Sequence, residues 1–307
     1  MTASQKTVPM EFSGPTVLPN SAERRRTWQE LNRAWWQSHP MRYDWKQRIE
    51  HPDFSKEFYE EIDRRFFADA RAYMPWKRVP FDALIDFEGL ADQDVLEIGV
   101  GSGSHAALLA RHARSFTGID LTDYAVRSTS SRLRSFGLPD SVVQMDAEQM
   151  SFPDRSFDFV WSWGVIHHSS DTRTVLKEIA RVLRPGGRAV TMVYHRNAWN
   201  YYVIGGLVHG LLRGRLFETG SLHRTVQLQT DGALARYYSA AEWRSLAEEF
   251  FAVERIRIYG SKAEVVPLPA GRLKQVVMRS LPPVVARFFT NTCRWGQFLV
   301  SELSIRR

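Results

Sequence analysis

Cysteine and long apolar runs are what this 307-residue sequence has least of. Its one cysteine, Cys293, excludes an internal disulfide framework and is typical of a reducing compartment, which predicts a cytoplasmic protein. No run approaches the roughly eighteen continuous apolar residues of a membrane-spanning helix, so none is predicted. The polar, proline-bearing start also lacks the apolar centre of a secretory signal.

The charge balance is positive, with a net charge of +7 and a pI of about 9.6. Such a balance suits anionic ligands, a membrane surface or nucleic acid. The arginines are scattered and not interleaved with a recognisable nucleic-acid module. We therefore expect an ordinary basic enzyme surface without a nucleic-acid partner.

The chain divides into a lead-in, a helical cap, an α/β core and C-terminal additions. Residues 1–20 are predicted to be a disordered lead-in, and residues 21–80 a helical cap or lid. The remaining divisions are a core at 81–196, inserted substrate or lid helices at 197–238, and the end of the core sheet at 239–307 with an insertion at 260–294.

Two helices are predicted in the cap, one that follows Ser21 as its N-cap and one over about 54–74. Apolar residues recur along them at helical spacing, namely Trp28, Leu31, Trp35 and Trp36 in the first and Phe58, Ile62, Phe66 and Phe67 in the second. Tyr43 and Trp45 lie between the helices. They either pack as part of the cap or form a lid over a ligand.

Apolar runs alternate with helix-like stretches through the core. The runs lie at 94–99, 116–121, 141–145, 157–163 and 188–194, and the helix-like stretches at 104–114, 123–136 and 171–184. This alternation predicts an α/β fold with a doubly wound, mostly parallel sheet. Further strands near 250–259 and 297–303 bring the expected number to seven.

A nucleotide site is predicted where the first strand ends. Glu97 precedes three alternating glycines, Gly99, Gly101 and Gly103, and Asp120 closes the next strand. Strand, glycine loop, helix, strand and acid together form a nucleotide-binding unit. The glycine pattern alone also fits a dinucleotide, as in an NAD(P)-dependent oxidoreductase whose cofactor pyrophosphate lies on the helix N-terminus.

Three features disfavour a pyrophosphate at this loop. Glu97 adds a negative charge that would repel a pyrophosphate and attract a cationic amino-acid ligand. Asp146 and Ala147 follow the third strand and add a polar group at the same edge. The unit then continues through a fourth strand into the turn Arg184-Pro185-Gly186-Gly187.

In combination, these motifs resemble the class I S-adenosylmethionine-dependent methyltransferases, and within them the broad bacterial group that includes ubiquinone/menaquinone-type enzymes. The resemblance covers about residues 80–196 in detail and 239–259 more loosely. Its motifs are the Glu97 to Gly103 loop, Asp120, Asp146-Ala147, Phe157 to Val160, His167-His168 and the Arg-Pro-Gly-Gly turn. The resemblance implies a Rossmann-like methyltransferase fold with S-adenosylmethionine as its cofactor.

The resemblance also implies how the methionyl part of that cofactor is held. The three glycines let the backbone approach it, because a side chain would collide. Glu97 would face the cofactor's amino group, directly or through water. Ser162 and Trp163 end the fourth strand, where the family lines the sulfonium site.

For the nucleoside part, the resemblance implies four further residues. Asp120 would accept hydrogen bonds from both ribose hydroxyls, since two carboxylate oxygens match two vicinal donors. Leu121 would pack on the adenine. Asp146 would receive the adenine amino group beside the backbone of Ala147.

Methyl transfer mainly requires alignment of the nucleophile, the methyl group and the sulfur, and a general base is needed only for an acceptor such as a hydroxyl. The candidate bases are His167, His168, Tyr194 and His195, at the ends of the fourth and fifth strands. His223 and Asp231 lie in the insertion and are also candidates to approach a substrate. No metal is expected, because no carboxylate spacing supports a site built from these histidines.

Selection of the acceptor is expected from the segments outside the core. Their apolar and aromatic content predicts a small hydrophobic, aromatic or lipid-like acceptor. Basic residues in them would suit phosphate or a membrane surface, namely Arg213, Arg215, Arg224, Arg272 and Lys274. The alternative is that these segments only enlarge the core or form the face of a homodimer.

The predicted function is therefore S-adenosylmethionine-dependent methylation of an oxygen or carbon in a small biosynthetic metabolite. Two alternatives stay open at this stage. One is the NAD(P)-dependent oxidoreductase, and the other is a non-catalytic binding module with a methyltransferase-like fold.

Overall fold

The computed structural model describes residues 8–44, 47–266, 268 and 271–306. Trp45, one of the two residues predicted for a lid, lies outside this set. The described residues form an α/β structure in which one mixed sheet carries helices on its faces. The predicted fold class is confirmed.

One sheet contains every strand among the described residues. The strands are β1 Asp94–Ile98, β2 Ser115–Asp120, β3 Val142–Gln144, β4 Phe157–Trp163, β5 Leu183–His195, β6 Tyr237–Tyr238, β7 Phe251–Tyr259 and β8 Phe298–Ile305. Their order is β3-β2-β1-β4-β5-β8-β7, and the two-residue β6 pairs with β5 beside this path. Strands β1 to β5 run parallel, while β8 runs antiparallel to both β5 and β7. The seven strands predicted are those of the main path.

Helices lie in the cap, between the strands and in the C-terminal part. The α-helices are α1 Ala22–Ser38, α2 Lys56–Tyr73, α3 Ser104–His112, α4 Asp123–Ser135, α5 Thr172–Val182, α6 Arg215–Thr219, α7 Leu222–Gln227, α8 Ala240–Ala247, α9 Lys262–Val265, α10 Arg272–Ser280 and α11 Pro283–Arg287. Short 3-10 helices span Gly89–Asp92 and Ile166–His168, and π-helices span Ala198–Leu212 and Phe288–Thr292.

The Arg-Pro-Gly-Gly turn forms a bulge at the start of β5. Pairing with β4 passes from Leu183 directly to Arg188, so residues 184–187 loop out of the ladder. Gly186 has a φ of +80°, a left-handed conformation that favours glycine. The bulge lets α5 end and β5 begin without an intervening loop.

Apolar side chains fill a core on both faces of the sheet. One cluster packs α2 and α3 against the strands through residues such as Phe66, Leu109 and Trp161. The other includes Leu176 of α5 and Trp243 of α8, which are fully buried. The two cores fix the strand ends at which the site lies.

The cap helices begin as the sequence predicts, but α1 turns a different face inward. The Ser21 hydroxyl accepts a hydrogen bond from the Arg24 N–H at 3.1 Å, as an N-cap does. Trp28 and Asn32 are the buried residues of α1, whereas Leu31 is exposed. A polar residue therefore lies on the inward face, where the sequence analysis expected apolar ones.

The prediction of a disordered lead-in is wrong for residues 8–20. Phe12 is fully buried in a cluster with Trp28 and Leu234. The Ser221 hydroxyl donates to the Ser13 carbonyl at 2.6 Å, and the Tyr237 N–H donates to the Pro15 carbonyl at 2.9 Å. Apolar burial and backbone pairing with the insertion order this segment, although it contains three prolines.

The insertion at 197–238 begins with a helix that is apolar on more than one side. The π-helix Ala198–Leu212 exposes Leu207 and Leu211, while Tyr201 is buried, so apolar residues lie on more than one side. Arg236 anchors the end of the insertion. Its fully buried guanidinium donates to the carbonyls of Val17, Ser169 and Ser170.

Candidate active site

A cavity of about 500 Å³ lies at the carboxyl edge of the parallel strands, where open α/β sheets bind ligands. We call one end of it the glycine-loop half; its lining residues lie within 98–105, 119–125, 145–147 and 163–166. We call the other end the tyrosine-rich half; it is lined by Tyr43, Asp69, Tyr73, Met192, Tyr194, Asp231, Ser261, Glu264, Gln297 and Phe298. Residues of α1 also line the cavity, so the cap covers part of the site.

The glycine loop leaves its backbone open to the cavity at Gly101. That residue has a φ of +55° and no atom within 4 Å of where a Cβ would stand. At Gly99, by contrast, a Cβ would lie 2.2 Å from the Val165 Cγ2, so packing within the protein excludes a side chain. Close approach of a ligand, expected at all three glycines, is thus best supported at Gly101. Gly103 also lines the cavity and is the N-cap of α3.

Arg132, a buried arginine of α4, holds the glycine loop in place. Its Nη1 donates to the Ser102 carbonyl at 3.1 Å and to the Ser104 hydroxyl at 3.3 Å, and its Nη2 pairs with Asp63 of α2. The Ser102 hydroxyl donates to the Met41 carbonyl. The loop is therefore fixed from both the core and the cap.

Glu97 lies directly behind the loop and is not among the residues that line the cavity. Its carboxyl is 2 % exposed, and its Oε2 has no hydrogen-bond partner within the described structure. Burial raises the pKa of Glu97 well above its usual range; repulsion from Asp120 adds to this, and Arg132 opposes it. An unpartnered buried oxygen beside the loop is a group that a cationic ligand or a water would satisfy.

Asp120 lines the cavity at the end of β2. Its Oδ1 accepts from the Thr122 N–H and hydroxyl, both at 2.9 Å, and its Oδ2 accepts from the Gly101 N–H at 3.2 Å. Burial raises the pKa of Asp120, whereas these hydrogen bonds lower it. The carboxylate is held rigidly, and Oδ2 has one protein partner and room for another.

Asp146, beyond β3, is bonded by a residue that the sequence analysis did not single out. The Gln29 side chain of α1 donates to Asp146 Oδ1 at 2.8 Å, and its Oε1 accepts from the Ser170 N–H at 3.1 Å. Gln29 and Asp146 both line the cavity. The cap helix therefore contacts the residue expected to recognise adenine.

Of the other predicted cofactor residues, three line the cavity and one is buried behind its wall. Leu121, Ala147 and Trp163 line the cavity. The Trp163 ring stacks on Trp161 with a centroid distance of 5.4 Å. Ser162 is fully buried, does not line the cavity, and donates its hydroxyl to the Ile98 carbonyl at 3.3 Å.

Two of the four candidate bases lie behind the cavity wall. His167 is fully buried, and burial holds its pKa well below the usual range, against the opposing effect of a hydrogen bond with the Met192 backbone. His195 is bonded through Nδ1 to the Gly296 carbonyl at 2.9 Å, and burial lowers its pKa. Neither is among the residues that line the cavity. Alternate residues of a strand point to opposite faces, which separates His195 from its neighbour Tyr194.

The other two candidate bases, Tyr194 and His168, do line the cavity. Burial raises the pKa of Tyr194 well above its usual range, so its hydroxyl keeps its proton near neutral pH. The His168 Nδ1 lies 2.6 Å from the Leu234 carbonyl. Tyr194 is therefore suited to donate a hydrogen bond, and His168 is oriented by the insertion.

Asp231 and His223, also considered from the sequence, are separated by the fold. Asp231 is exposed and contributes to the tyrosine-rich half. His223 is buried, with its Nδ1 3.1 Å from the Tyr201 hydroxyl, and does not line the cavity. Only Asp231 is placed to meet a substrate.

Glu264 is a carboxyl group in the cavity wall that the sequence analysis missed. Its Oε1 accepts from the Ser261 N–H at 2.7 Å and its Oε2 from the Gln297 N–H at 2.8 Å. Burial raises the pKa of Glu264 to about 7, against the opposing effect of these hydrogen bonds. Because β7 runs parallel to β5, Glu264 lies beyond the same sheet edge as the glycine loop. The Ser261–Glu264 capping box was the available sequence signal.

A second, smaller cavity of about 190 Å³ adjoins the tyrosine-rich half. Tyr194, Asp231 and Gln297 contribute to the walls of both cavities. The other walls come from the insertion and include Tyr201, His209, Gln229 and Tyr237. The insertion thus extends the site away from the glycine loop.

Among the residues that the structure describes, neither a lysine nor an arginine lines either cavity. The main cavity has five carboxyl groups, those of Asp69, Asp120, Asp146, Asp231 and Glu264. The basic residues considered for phosphate recognition, such as Arg213 and Arg272, lie outside both. An otherwise basic protein therefore surrounds its cavity with acids.

The described residues provide neither a metal-binding cluster nor a helix that could span a membrane. Within 8–44, 47–266, 268 and 271–306, no group of three or more His, Cys, Asp or Glu residues could hold a metal ion. In the same residues, no helix combines the length and apolar character needed to cross a bilayer.

The sheet order and the glycine loop define a Rossmann-like nucleotide-binding domain of the methyltransferase type. A solved chain from the complex between the Haloferax volcanii Trm112 methyltransferase activator and a candidate methyltransferase has the same fold, with a TM-score of 0.53 and 18 % identity. The match covers 87 % of this chain and 99 % of that chain.

Residues 96–191 match the family described as "Methyltransferase domain". This segment contains the glycine loop, Asp120 and Asp146. It is a class I, S-adenosylmethionine-dependent methyltransferase domain, as the resemblance implied.

Curated relatives match about a third of the chain. The 27-O-demethylrifamycin SV methyltransferase of Amycolatopsis mediterranei is 38 % identical over 101 residues, which are 32 % of this chain and 37 % of that protein. The phthiotriol/phenolphthiotriol dimycocerosates methyltransferase of Mycobacterium tuberculosis is 40 % identical over 100 residues, 32 % of this chain and 36 % of that protein. The chain therefore spans little more than a third of the length of these relatives.

Proposed function

We propose that this chain transfers the methyl group of S-adenosylmethionine to an oxygen or carbon of a small hydrophobic or aromatic molecule. The observation that carries the proposal is one cavity with two distinct halves. Its glycine-loop half has the residues of a methyltransferase cofactor site, and its tyrosine-rich half offers aromatic walls for an acceptor. The relative from A. mediterranei, a 27-O-demethylrifamycin SV methyltransferase, supports oxygen as the receiving atom.

The residues present fit the proposed cofactor. S-adenosylmethionine carries a net positive charge, and the described residues that line the cavity include five carboxyl groups but no lysine or arginine. The open backbone at Gly101, the carboxylates of Asp120 and Asp146, and the unpartnered Glu97 oxygen behind the loop are the groups that would hold it. A pyrophosphate would meet the same acids, which disfavours the oxidoreductase alternative.

When bound, the cofactor supplies a methyl group already activated by a sulfonium. The chain's own residues then have to position the acceptor and exclude water. Trp163 and Met192 line the cavity where β4 and β5 end, and the cap closes over it through Trp36 and Tyr43. Tyr194 can orient an acceptor oxygen by donating a hydrogen bond.

Glu264 is the proposed base for a hydroxyl acceptor. The backbone N–H groups of Ser261 and Gln297 fix its carboxylate at the cavity wall. It accepts the hydroxyl proton as the new carbon–oxygen bond forms and the carbon–sulfur bond breaks, and later releases that proton to water. A base with a pKa near 7 is matched to this task at neutral pH.

The charge of the cavity also limits the acceptor. Asp231, Glu264 and Asp69 surround the tyrosine-rich half without a basic residue between them. An acceptor with a carboxylate or phosphate near its reacting group would be repelled. The proposed acceptor is therefore neutral or cationic.

A matched set of probes tests this selectivity. Tyrosol, tyramine and p-hydroxyphenylacetate share a phenol and differ in charge. With S-adenosylhomocysteine at saturation, we expect the neutral and cationic probes to bind at least about tenfold more tightly than the anion, measured by quenching of tryptophan fluorescence. In the double variant Asp231→Asn, Glu264→Gln, the affinities for the neutral, cationic and anionic probes should lie closer together. If the unaltered protein binds the anion most tightly, the proposed charge selectivity is refuted.

Catalysis itself is tested with labelled S-adenosylmethionine and fractionated metabolite extracts. The expected result is label in a product that partitions into organic solvent and requires active protein. If the protein binds S-adenosylhomocysteine but labels no fraction, the non-catalytic binding module replaces the enzyme as the better account.

A further inference from the structure

Exposed apolar side chains are concentrated in two segments of the surface. Of the fifteen large exposed apolar side chains in the described part of the chain, eleven lie within residues 202–217 and 273–288. These segments belong to the π-helix of the insertion with α6, and to α10, α11 and the π-helix that follows. We call residues 202–217 and 272–288 together the apolar-basic surface.

Helix α10 shows the pattern most clearly, because none of its nine residues is buried. Leu273, Val276 and Val277 are spaced three and four residues apart, so they share one side of the helix, and all three are exposed. Arg272 and Lys274 adjoin Leu273 in sequence and therefore flank this apolar side, one on each edge. An apolar stripe bordered by basic residues is typical of a helix that lies in a membrane interface.

The charges of the apolar-basic surface are all of one sign. It contains six basic residues, Arg213, Arg215, Arg272, Lys274, Arg279 and Arg287, and no acidic residue. An anionic lipid surface complements that charge. A second copy of the chain would bring two such clusters together if the same surface formed a twofold contact, and like charges oppose this.

Each segment is tied to elements that carry the tyrosine-rich half of the cavity. Trp199, at the start of the insertion helix, stacks on Trp295 with a centroid distance of 4.9 Å and donates its indole N–H to the Glu264 carbonyl at 3.0 Å. Lys262 Nζ donates to the Met278 carbonyl of α10 at 3.4 Å. The apolar-basic surface therefore borders the elements that carry the proposed base.

We propose that the apolar-basic surface docks this protein onto anionic lipid bilayers, with the apolar side of α10 inserted among the lipid headgroups. The basic residues supply attraction to the lipid phosphates, and the exposed leucine and valine side chains supply apolar burial. The inference concerns a surface outside the cavity and does not depend on methyl transfer.

Co-sedimentation with vesicles tests this proposal on the full chain. The probes are vesicles of phosphatidylcholine with about a third phosphatidylglycerol, and vesicles of phosphatidylcholine alone. We expect binding to the anionic vesicles that weakens with added salt, and little binding to the neutral ones. Leu273→Ser with Val276→Ser, and separately Arg272→Gln with Lys274→Gln, should each reduce binding by about tenfold or more.

Matched controls separate docking from general surface effects. Leu31→Ser with Val143→Ser alters exposed apolar residues elsewhere, and Arg64→Gln with Arg127→Gln alters exposed basic residues elsewhere. All variants should keep the far-ultraviolet circular dichroism of the unaltered protein. The proposal is overturned if the protein binds neutral vesicles as well as anionic ones, or does not bind anionic vesicles at all. It is also overturned if the control variants lose as much binding, or if the protein forms a dimer that Leu273→Ser abolishes.

Discussion

The two halves of the cavity are built in opposite ways. The glycine-loop half uses the consecutive loops after β1, β2, β3 and β4, so the chain that lines it runs from about residue 98 to residue 166. The tyrosine-rich half draws on the cap, the ends of β5 and β7, the insertion and the start of β8. The first half depends on one local motif, and the second depends on distant segments meeting in the folded chain. Changes to tertiary anchors should therefore affect the acceptor end far more than the cofactor end.

The largest effect is expected on the free energy of unfolding, when Arg236, which anchors the insertion, is replaced. Arg236→Met would leave the carbonyls of Val17, Ser169 and Ser170 without their buried donor. We expect the free energy of unfolding to fall by about 3 to 5 kcal/mol in urea titrations, because buried acceptors that lose a charged partner are costly. The exposed Arg244→Met is the control and should change stability by less than about 0.5 kcal/mol.

The same variant tests whether the two halves of the cavity bind their ligands independently. If the comparison is right, the folded Arg236→Met protein binds tyrosol more weakly but keeps its affinity for S-adenosylhomocysteine within about twofold. Equal loss of both affinities would show that the two halves are not independent.

The pH dependence of stability should report Glu264 in the tyrosine-rich half. Burial raises its pKa from about 4.5 to about 7, so the folded protein holds a proton there that the unfolded chain has released. Stability contributed by this group therefore falls as pH rises from 4.5 to 7, by about 3 kcal/mol. Urea unfolding at several pH values should show a flatter profile for Glu264→Gln, and parallel profiles would contradict the assignment.

The smallest expected effect concerns Gln29, a cap residue that bonds into the glycine-loop half. Gln29→Ala removes the hydrogen bond to Asp146 Oδ1 and the link to Ser170. Affinity for S-adenosylhomocysteine should fall about fivefold, equivalent to about 1 kcal/mol, while tyrosol binding stays the same. Glu30→Ala, on the exposed side of the same helix, should change neither.

The same contrast explains what could be predicted from the sequence. The strand ends, the glycine loop and Asp120 follow from periodicity and motif spacing, and the fold confirms their arrangement. Glu264 could not be placed, because nothing in residues 260–294 indicates which distant strand they pack against. The sequence also could not show which candidate bases face the cavity. His195 and Tyr194 are adjacent in sequence, but only Tyr194 lines the cavity.

The lead-in and the cap show a second limit of prediction from the sequence. Residues 8–20 contain three prolines and end a lead-in predicted to be disordered, yet the side chain of Phe12 is fully buried. Asn32, likewise, lies on the inward side of α1 and donates to the His168 carbonyl. Composition averages over a segment, whereas packing is decided by individual residues that meet partners far along the chain.

The most direct test of the central claim is calorimetry with S-adenosylhomocysteine and, separately, with NADH. The account predicts that the unaltered protein binds S-adenosylhomocysteine and not NADH. Asp120→Ala should weaken that binding by about a hundredfold or more, because the charged acceptor for the ribose and the group that holds the Gly101 N–H are lost together, while Asp123→Ala, exposed on α4, should not. Binding of NADH, or no binding of S-adenosylhomocysteine to the folded protein, would contradict the account.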